Sequence, residues 1–298
     1  MAELDLDLKD EEPEAASGVK IYAEEVYQDY LHVLLMGRPG AGKSHFAATF
    51  PKPMLVFGFD PAGKEDPYLD RGTAGPITEA KSKNGLYSFA YRDIYSKKEK
   101  GRVIIRYEYW GESNPIKPDR YPTFMARTMA LEQEIRESGW KTIVLDSATY
   151  FELTARAFSE NGVNRLNDKG EVTKDQRIHY GYSAHACEQY LMMRLPNLIM
   201  CNTIAITHID EQKDYSSGAE DGAVVRKMAA LPGKLPNRIA GGYGECWLIY
   251  RPNPAGKERL LQTQEREGSM FDCKSLKRFP DPCPAHYELL WKGRSKEL

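Results

Sequence analysis

"LHVLLMGRPGAGKS", residues 31–44, decides the fold. Its first six residues are a short apolar run suited to a buried strand, and the run stops at Gly37. The next eight fit G-x-x-x-x-G-K-[ST] through Gly37, Gly42, Lys43 and Ser44. Each position has a physical task. The glycines let the backbone wrap an anion and aim N–H groups at phosphates, with Arg38, Pro39, Gly40, Ala41 and His45 completing the wall. A helix should open near Gly42, stop before Pro51, and turn its positive end toward the same spot. Lys43 then reaches the β- and γ-phosphates, and the Ser44 hydroxyl ligates Mg²⁺. The context of strand, loop and helix makes ATP with Mg²⁺ the expected ligand.

Working outward, other apolar runs repeat the pattern. "MLVFGFD" (54–60), "KTIVLDS" (141–147) and the middle of "LIMCNTIAITHID" (198–210) read as buried strands. "GECWLIYR" and "ERLLQTQ" read as two late strands joined across "PNPAGK". Helices are expected over about 122–138, after Asp146, and over about 178–195. Strands alternating with helices predict an α/β fold with a mostly parallel sheet. "LYSFAYRDIY" and "RVIIRYEYW" flank the charged "SKKEKG", so 81–118 is expected to be an inserted β-hairpin. The stretches 61–75, 161–176 and 211–223 are rich in Gly, Ser and charge and read as loops.

Three strand ends carry further chemistry. Asp146 closes "TIVLD" and is expected to hold the Mg²⁺; an ordinary helix-capping Asp is the competing reading. Asp60 closes the strand after the phosphate-loop helix, and Glu65 and Asp66 lie a few residues on; a carboxylate here can serve as base toward the attacking water. His208 follows "TIAIT", where it can sense the γ-phosphate and report to the loop behind it.

Composition bounds the rest. The chain has 298 residues and a net charge of −2, so no global basic field draws it onto nucleic acid. No apolar run approaches the roughly 20 residues of a bilayer span, so no membrane role is expected. Residues 1–18 are acidic and read as a disordered tail, leaving 19–298 as one domain. Cys273, Cys283 and His286 form at most a partial zinc set, and no C-x-x-C pair occurs. Five scattered cysteines suit the cytoplasm.

The order of phosphate loop, "FGFD", "IVLDSAT", "IAITHIDEQKD" and "LPGKLPNRIAGGYGECWLI" resembles the RecA-like core, and more closely the RecA-like ATPases encoded by tailed phages, some of which are single-strand annealing recombinases. The resemblance implies an ATPase working in a host-cell cytoplasm as a ring or filament of identical subunits. Single-stranded DNA is its implied ligand, and a single-strand-binding protein is a candidate partner. His208 falls where those proteins carry a polar switch residue, usually glutamine. The loops that follow Asp146 and His208 match their DNA-binding loops, making Arg165, Lys169, Lys174, Lys213, Arg226 and Lys227 candidates for DNA contact. Lys234 and Arg238 are candidates for completing a neighbour's site. RecA has a glutamate two positions beyond the strand-ending Asp; Ala62 stands there, so the hydrolytic base is open and turnover is expected to be slow and DNA-stimulated.

Two other functions compete. Net acidity and acid-rich loops suit a nucleotide-state switch that binds a protein and no DNA. A small-molecule kinase lacks support, because no Arg-rich lid sequence is evident.

Overall fold

The computed structural model describes residues 30–294 apart from 62–64, 83–84, 86, 115, 168, 215–222, 254 and 266–272; at 212–214, 223–226 and 293–294 it describes backbone only. The acidic stretch 1–18 and Ala62 lie outside the described residues. The strands in chain order are β1 (His32–Met36), β2 (Met54–Gly58), β3 (Thr73–Lys81), β4 (Ser88–Tyr95), β5 (Val103–Tyr109), β6 (Thr142–Asp146) and β7 (Asn202–Thr207). They continue with β8 (Ile209–Asp214), β9 (Ala223–Ala229), β10 (Glu245–Tyr250), β11 (Leu260–Gln262), β12 (Lys274–Ser275) and β13 (Cys283–Pro284).

Six strands run parallel in the order β10, β1, β7, β6, β2, β5. The phosphate-loop strand β1 and the Asp146 strand β6 are therefore separated by β7, the strand that leads to His208. Antiparallel strands finish both edges, β4 and β3 beyond β5, and β11 and β13 beyond β10.

The unbroken apolar runs have a simple cause. Side chains alternate across a strand, and here both faces are covered. Leu34, Leu55, Phe57, Ile143, Leu145 and Ala205 enter one core with Phe124, Phe151 and Tyr190 from the overlying helices. Val33, Leu35, Val56, Val144, Ile204 and Ile206 enter the other, against Phe46, Phe50, Tyr68 and Leu290.

The expected hairpin is present, and β5 pairs in parallel with β2, so the hairpin is a lateral extension of the main sheet. Several local expectations need correction. The stretch 61–75 is not all loop: it holds the helical turn Asp66–Leu69 and the start of β3. The helix expected over 122–138 is two helices, Arg120–Thr128 and Leu131–Ser138. The stretch 161–176 continues the helix Ala148–Phe158 through a wider turn, Ser159–Val163, and closes on a Leu166–Val172 bridge. It joins that helix to Gln176–Cys187, and the two pack as a helical hairpin through Glu152–Ser183 and Ser159–His179 hydrogen bonds. Of the stretch 211–223, expected to be a loop, residues 211–214 belong to β8 and 223 opens β9, which pair antiparallel, while 215–222 lie outside the described residues. Polar, β-branched runs such as "AVVRK" give no strong apolar period and are easily read as coil.

Candidate nucleotide-binding site

Register brings the chemistry to one edge. Gly58 lies opposite Asp146, Asp146 opposite Ile206, and Thr207 opposite Met36, whose other neighbour is Leu248. The residues just past these tips are Asp60, Asp146, His208, the phosphate loop and Arg251. They surround a cavity of about 440 Å³, at the carboxyl end of a parallel sheet where α/β folds take ligands.

The loop itself is shaped by backbone. Gly42 has φ 101°, a left-handed conformation that side chains rarely adopt, and the Arg259 side chain lies where its Cβ would stand. The helix that follows, Lys43–Ala47, is short and anchored by Phe46 and Ala47 in the core. Lys43 Nζ donates to the carbonyls of Gly37 (2.8 Å) and Arg38 (3.0 Å) and lies 3.3 Å from His208 Nδ1. The ammonium thus sits over the loop within reach of an incoming phosphate, and His208 is already in contact with it. His208 is fixed from behind: its N–H donates to Thr149 Oγ1 (3.1 Å), and Thr149 Oγ1 donates to the Ala230 carbonyl (3.3 Å).

Asp146 is buried and hydrogen-bonded by Tyr68 Oη at 2.8 Å and by the Ser44 hydroxyl. Burial, then the Asp60 carboxylate, pushes its pKa up to about 6; the Ser44, Tyr68 and Lys43 contacts pull the other way. Gly58 must be glycine here, since the Tyr107 ring fills the place of its Cβ. Ser147 Oγ donates to Asp60 at 2.7 Å, so the second carboxylate is held beside the first.

This oxygen set fits a magnesium ion. Among the described residues no group of three or more His, Cys, Asp and Glu could hold a metal. Mg²⁺ does not need one: it is commonly held by one or two carboxylates plus substrate phosphates and water. Ser44 and Asp146 would hold it, with Asp60 close by. Bound there, it would neutralise phosphate charge; every other contact comes from the chain.

A family model described as an AAA domain matches residues 29–270. The chain belongs to that AAA-domain family. It is also similar to a KaiC-like protein from the hyperthermophilic archaeon Pyrococcus horikoshii OT3, at 12% identity and a TM-score of 0.35, over 85% of this chain and 84% of that one. No curated protein matches the sequence. Among the described residues, no helix of this AAA-domain chain is long and apolar enough to cross a membrane.

Within the AAA-domain site, the sequence-derived set divides. Gly37, Arg38, Pro39, Gly40, Ala41 and Gly42 form one continuous loop, Lys43, Ser44 and His45 begin the helix that follows it, and Asp60, Asp146 and His208 meet the same cavity. Glu65 does not: it accepts from Tyr109 Oη (3.3 Å) and lies 4.0 Å from Arg92, while Asp66 and Pro67 face the cavity instead. Lys234 is exposed away from the cavity, and Arg238 is paired with Glu188 of the same chain. Arg165, Lys169 and Lys174 are exposed on the helical-hairpin tip, whereas Lys227 lies 3.4 Å from Glu211. The side chains of Lys213 and Arg226 lie outside the described residues.

Sequence reasoning missed Tyr68, Ser147, Arg251 and Arg259. Tyr68 follows a Pro in a stretch that looked like coil, and nothing in its neighbours announces a buried hydroxyl. The two arginines did leave a signal, since they bracket the turn between the last strands.

Proposed function

We propose that this chain is a Mg²⁺-dependent ATPase that couples its nucleotide state to a surface hairpin, acting as a RecA-like homo-oligomer on single-stranded DNA in phage recombination or replication. One observation carries the catalytic part: Lys43, Ser44, Asp146, Asp60 and His208, from four separate stretches of chain, converge on one cavity at the sheet's carboxyl edge. Asp60, held by Ser147, is the carboxylate placed to orient the attacking water.

The coupling part rests on two links. Lys43 touches His208, the residue directly before β8. Arg38 in the phosphate loop pairs with Glu211 on β8 at 2.8 Å, and Glu211 also faces Lys227 on β9. Phosphate drawing Lys43 and Arg38 toward itself would loosen both links at once. DNA binding is supported by Arg165, Lys169 and Lys174, exposed on one tip, where among the described residues none has an ion pair. The Lys227–Glu211 contact and the acidic net charge support the competing reading, a protein-binding switch.

Measuring ATP turnover with and without single-stranded DNA, together with filter binding at two salt concentrations, separates these. The proposal expects stimulation and salt-sensitive binding. ATP turnover with neither effect leaves the switch; no turnover in any condition sinks the ATPase.

A further inference from the structure

The cavity has two unlike walls. Asp60 and Asp146 lie on one, where the cation belongs. On the other stand Arg251 and Arg259, residues that flank the turn between β10 and β11. Tyr250 pairs with Leu260 across these antiparallel strands, so the two arginines follow as facing positions. Both line the cavity.

The Nε of each arginine is buried with no hydrogen-bond partner, and among the described residues no carboxylate pairs with either. Buried donors of this kind ordinarily have partners. Arg71 lies close by and donates to the His45 carbonyl at 3.1 Å. Burial first, then Arg251 and Arg71, pushes the Arg259 pKa below the usual arginine range. Three cations drawn together beside a phosphate loop call for a polyanion.

Their position selects which phosphates. Lys43 lies toward Gly37, Arg38 and His208, the γ-phosphate side. Arg259 covers Gly42, and with Arg71 and Arg251 it is felt by His45, one residue beyond Ser44. That is the side where loop N–H groups cradle the α- and β-phosphates. Guanidinium groups suit phosphate oxygens, which they bind through paired donors.

We propose that Arg251 and Arg259 form a clamp, supplied by the same subunit, that holds the α- and β-phosphates of the bound nucleotide. This rests on the nucleotide-site reading above. The clamp sets affinity for ATP and ADP alike and leaves the chemistry at the γ-phosphate to other groups.

The test titrates fluorescent mant-ADP and mant-ATP into wild type, Arg251→Ala, Arg259→Ala and the milder Arg251→Gln and Arg259→Lys. Melting curves check folding, and tripolyphosphate competes for the site. Each Ala variant should weaken both nucleotides by the same factor, about ten- to a hundredfold, as expected for a lost charge-assisted contact. Tripolyphosphate affinity should fall in parallel, and the single-turnover hydrolysis rate at saturation should hold. If an Ala variant fails to fold, the milder variant should show the same parallel loss at smaller size. Unchanged affinity in folded variants overturns the clamp alone. So does a loss confined to ATP with a collapsed saturated rate, or an unchanged tripolyphosphate affinity, which would place the arginines on the base. Wild type that binds neither nucleotide sinks the site reading and the clamp together.

Discussion

Replacing Asp146 by Asn should stabilise the metal-free protein and disable it. The buried carboxyl is pushed from its ordinary 3.8 to about 6 by burial and by Asp60. A shift of about two units corresponds to about 3 kcal/mol of strain in the ionised form. The sign follows from proton counting. The folded state holds the Asp146 proton more tightly than the unfolded chain, so it binds more protons between pH 4 and pH 6. Stability attributable to this group therefore falls as pH rises through that window and is flat above it. Asn never ionises, yet its amide oxygen still accepts from Tyr68. Urea unfolding without Mg²⁺ or nucleotide should show Asp146→Asn more stable than wild type at pH 7.5, and the gain should shrink toward zero by pH 4. Adding Mg²⁺ and ADP should shift the balance toward wild type, which keeps the carboxylate for the metal and so gains more by mass action. An Asn variant no more stable at pH 7.5, or a gain that persists unchanged at pH 4, refutes the reasoning.

Other perturbations probe other parts. Tyr68→Phe removes a donor to the buried carboxylate; it should cost about 1–3 kcal/mol and move the pH-dependent melting transition upward, and an unchanged profile would contradict the Tyr68–Asp146 contact. Arg127→Met strands the fully buried Glu108, which Arg127 contacts at 2.8 Å, and should cost about 3–5 kcal/mol. Adding Glu108→Gln should recover part of that loss in the same unfolding assay. Glu211→Gln cuts the tie between Arg38 and the β8–β9 hairpin; the pair is exposed, so stability should change by less than about 1 kcal/mol. Hydrogen exchange of β8 and β9 amides should nevertheless stop responding to nucleotide, and a full response would rule out the relay.

What the sequence reveals tracks the range of the interaction. The phosphate loop, the β6 tip and the β7 tip are local signals: an apolar run ends and a polar residue follows, so Lys43, Asp146 and His208 are readable one segment at a time. Parallel pairing then carries these tips to one edge without further information. Glu65 shows the limit. It lies in the right segment, but the Asp66–Leu69 turn directs it to Tyr109 and Arg92, partners about 44 and 27 residues away whose approach depends on β4 and β5 joining the sheet. Arg259 shows in the sequence only as a charge beside a turn, because its contact with Gly42 spans most of the chain. The pairing of β8 with β9 was not legible because these polar stretches carry no strong apolar period.

The central claim is that Mg²⁺ and ATP share the cavity above Lys43 and Asp146. Calorimetric titration of ATP into wild type and Lys43→Ala, each with and without Mg²⁺, tests it most directly. Wild type should bind ATP, more tightly with Mg²⁺, and Lys43→Ala should lose that binding while keeping its fold. Equal affinity in the two proteins, or no effect of Mg²⁺ on wild type, would contradict the account.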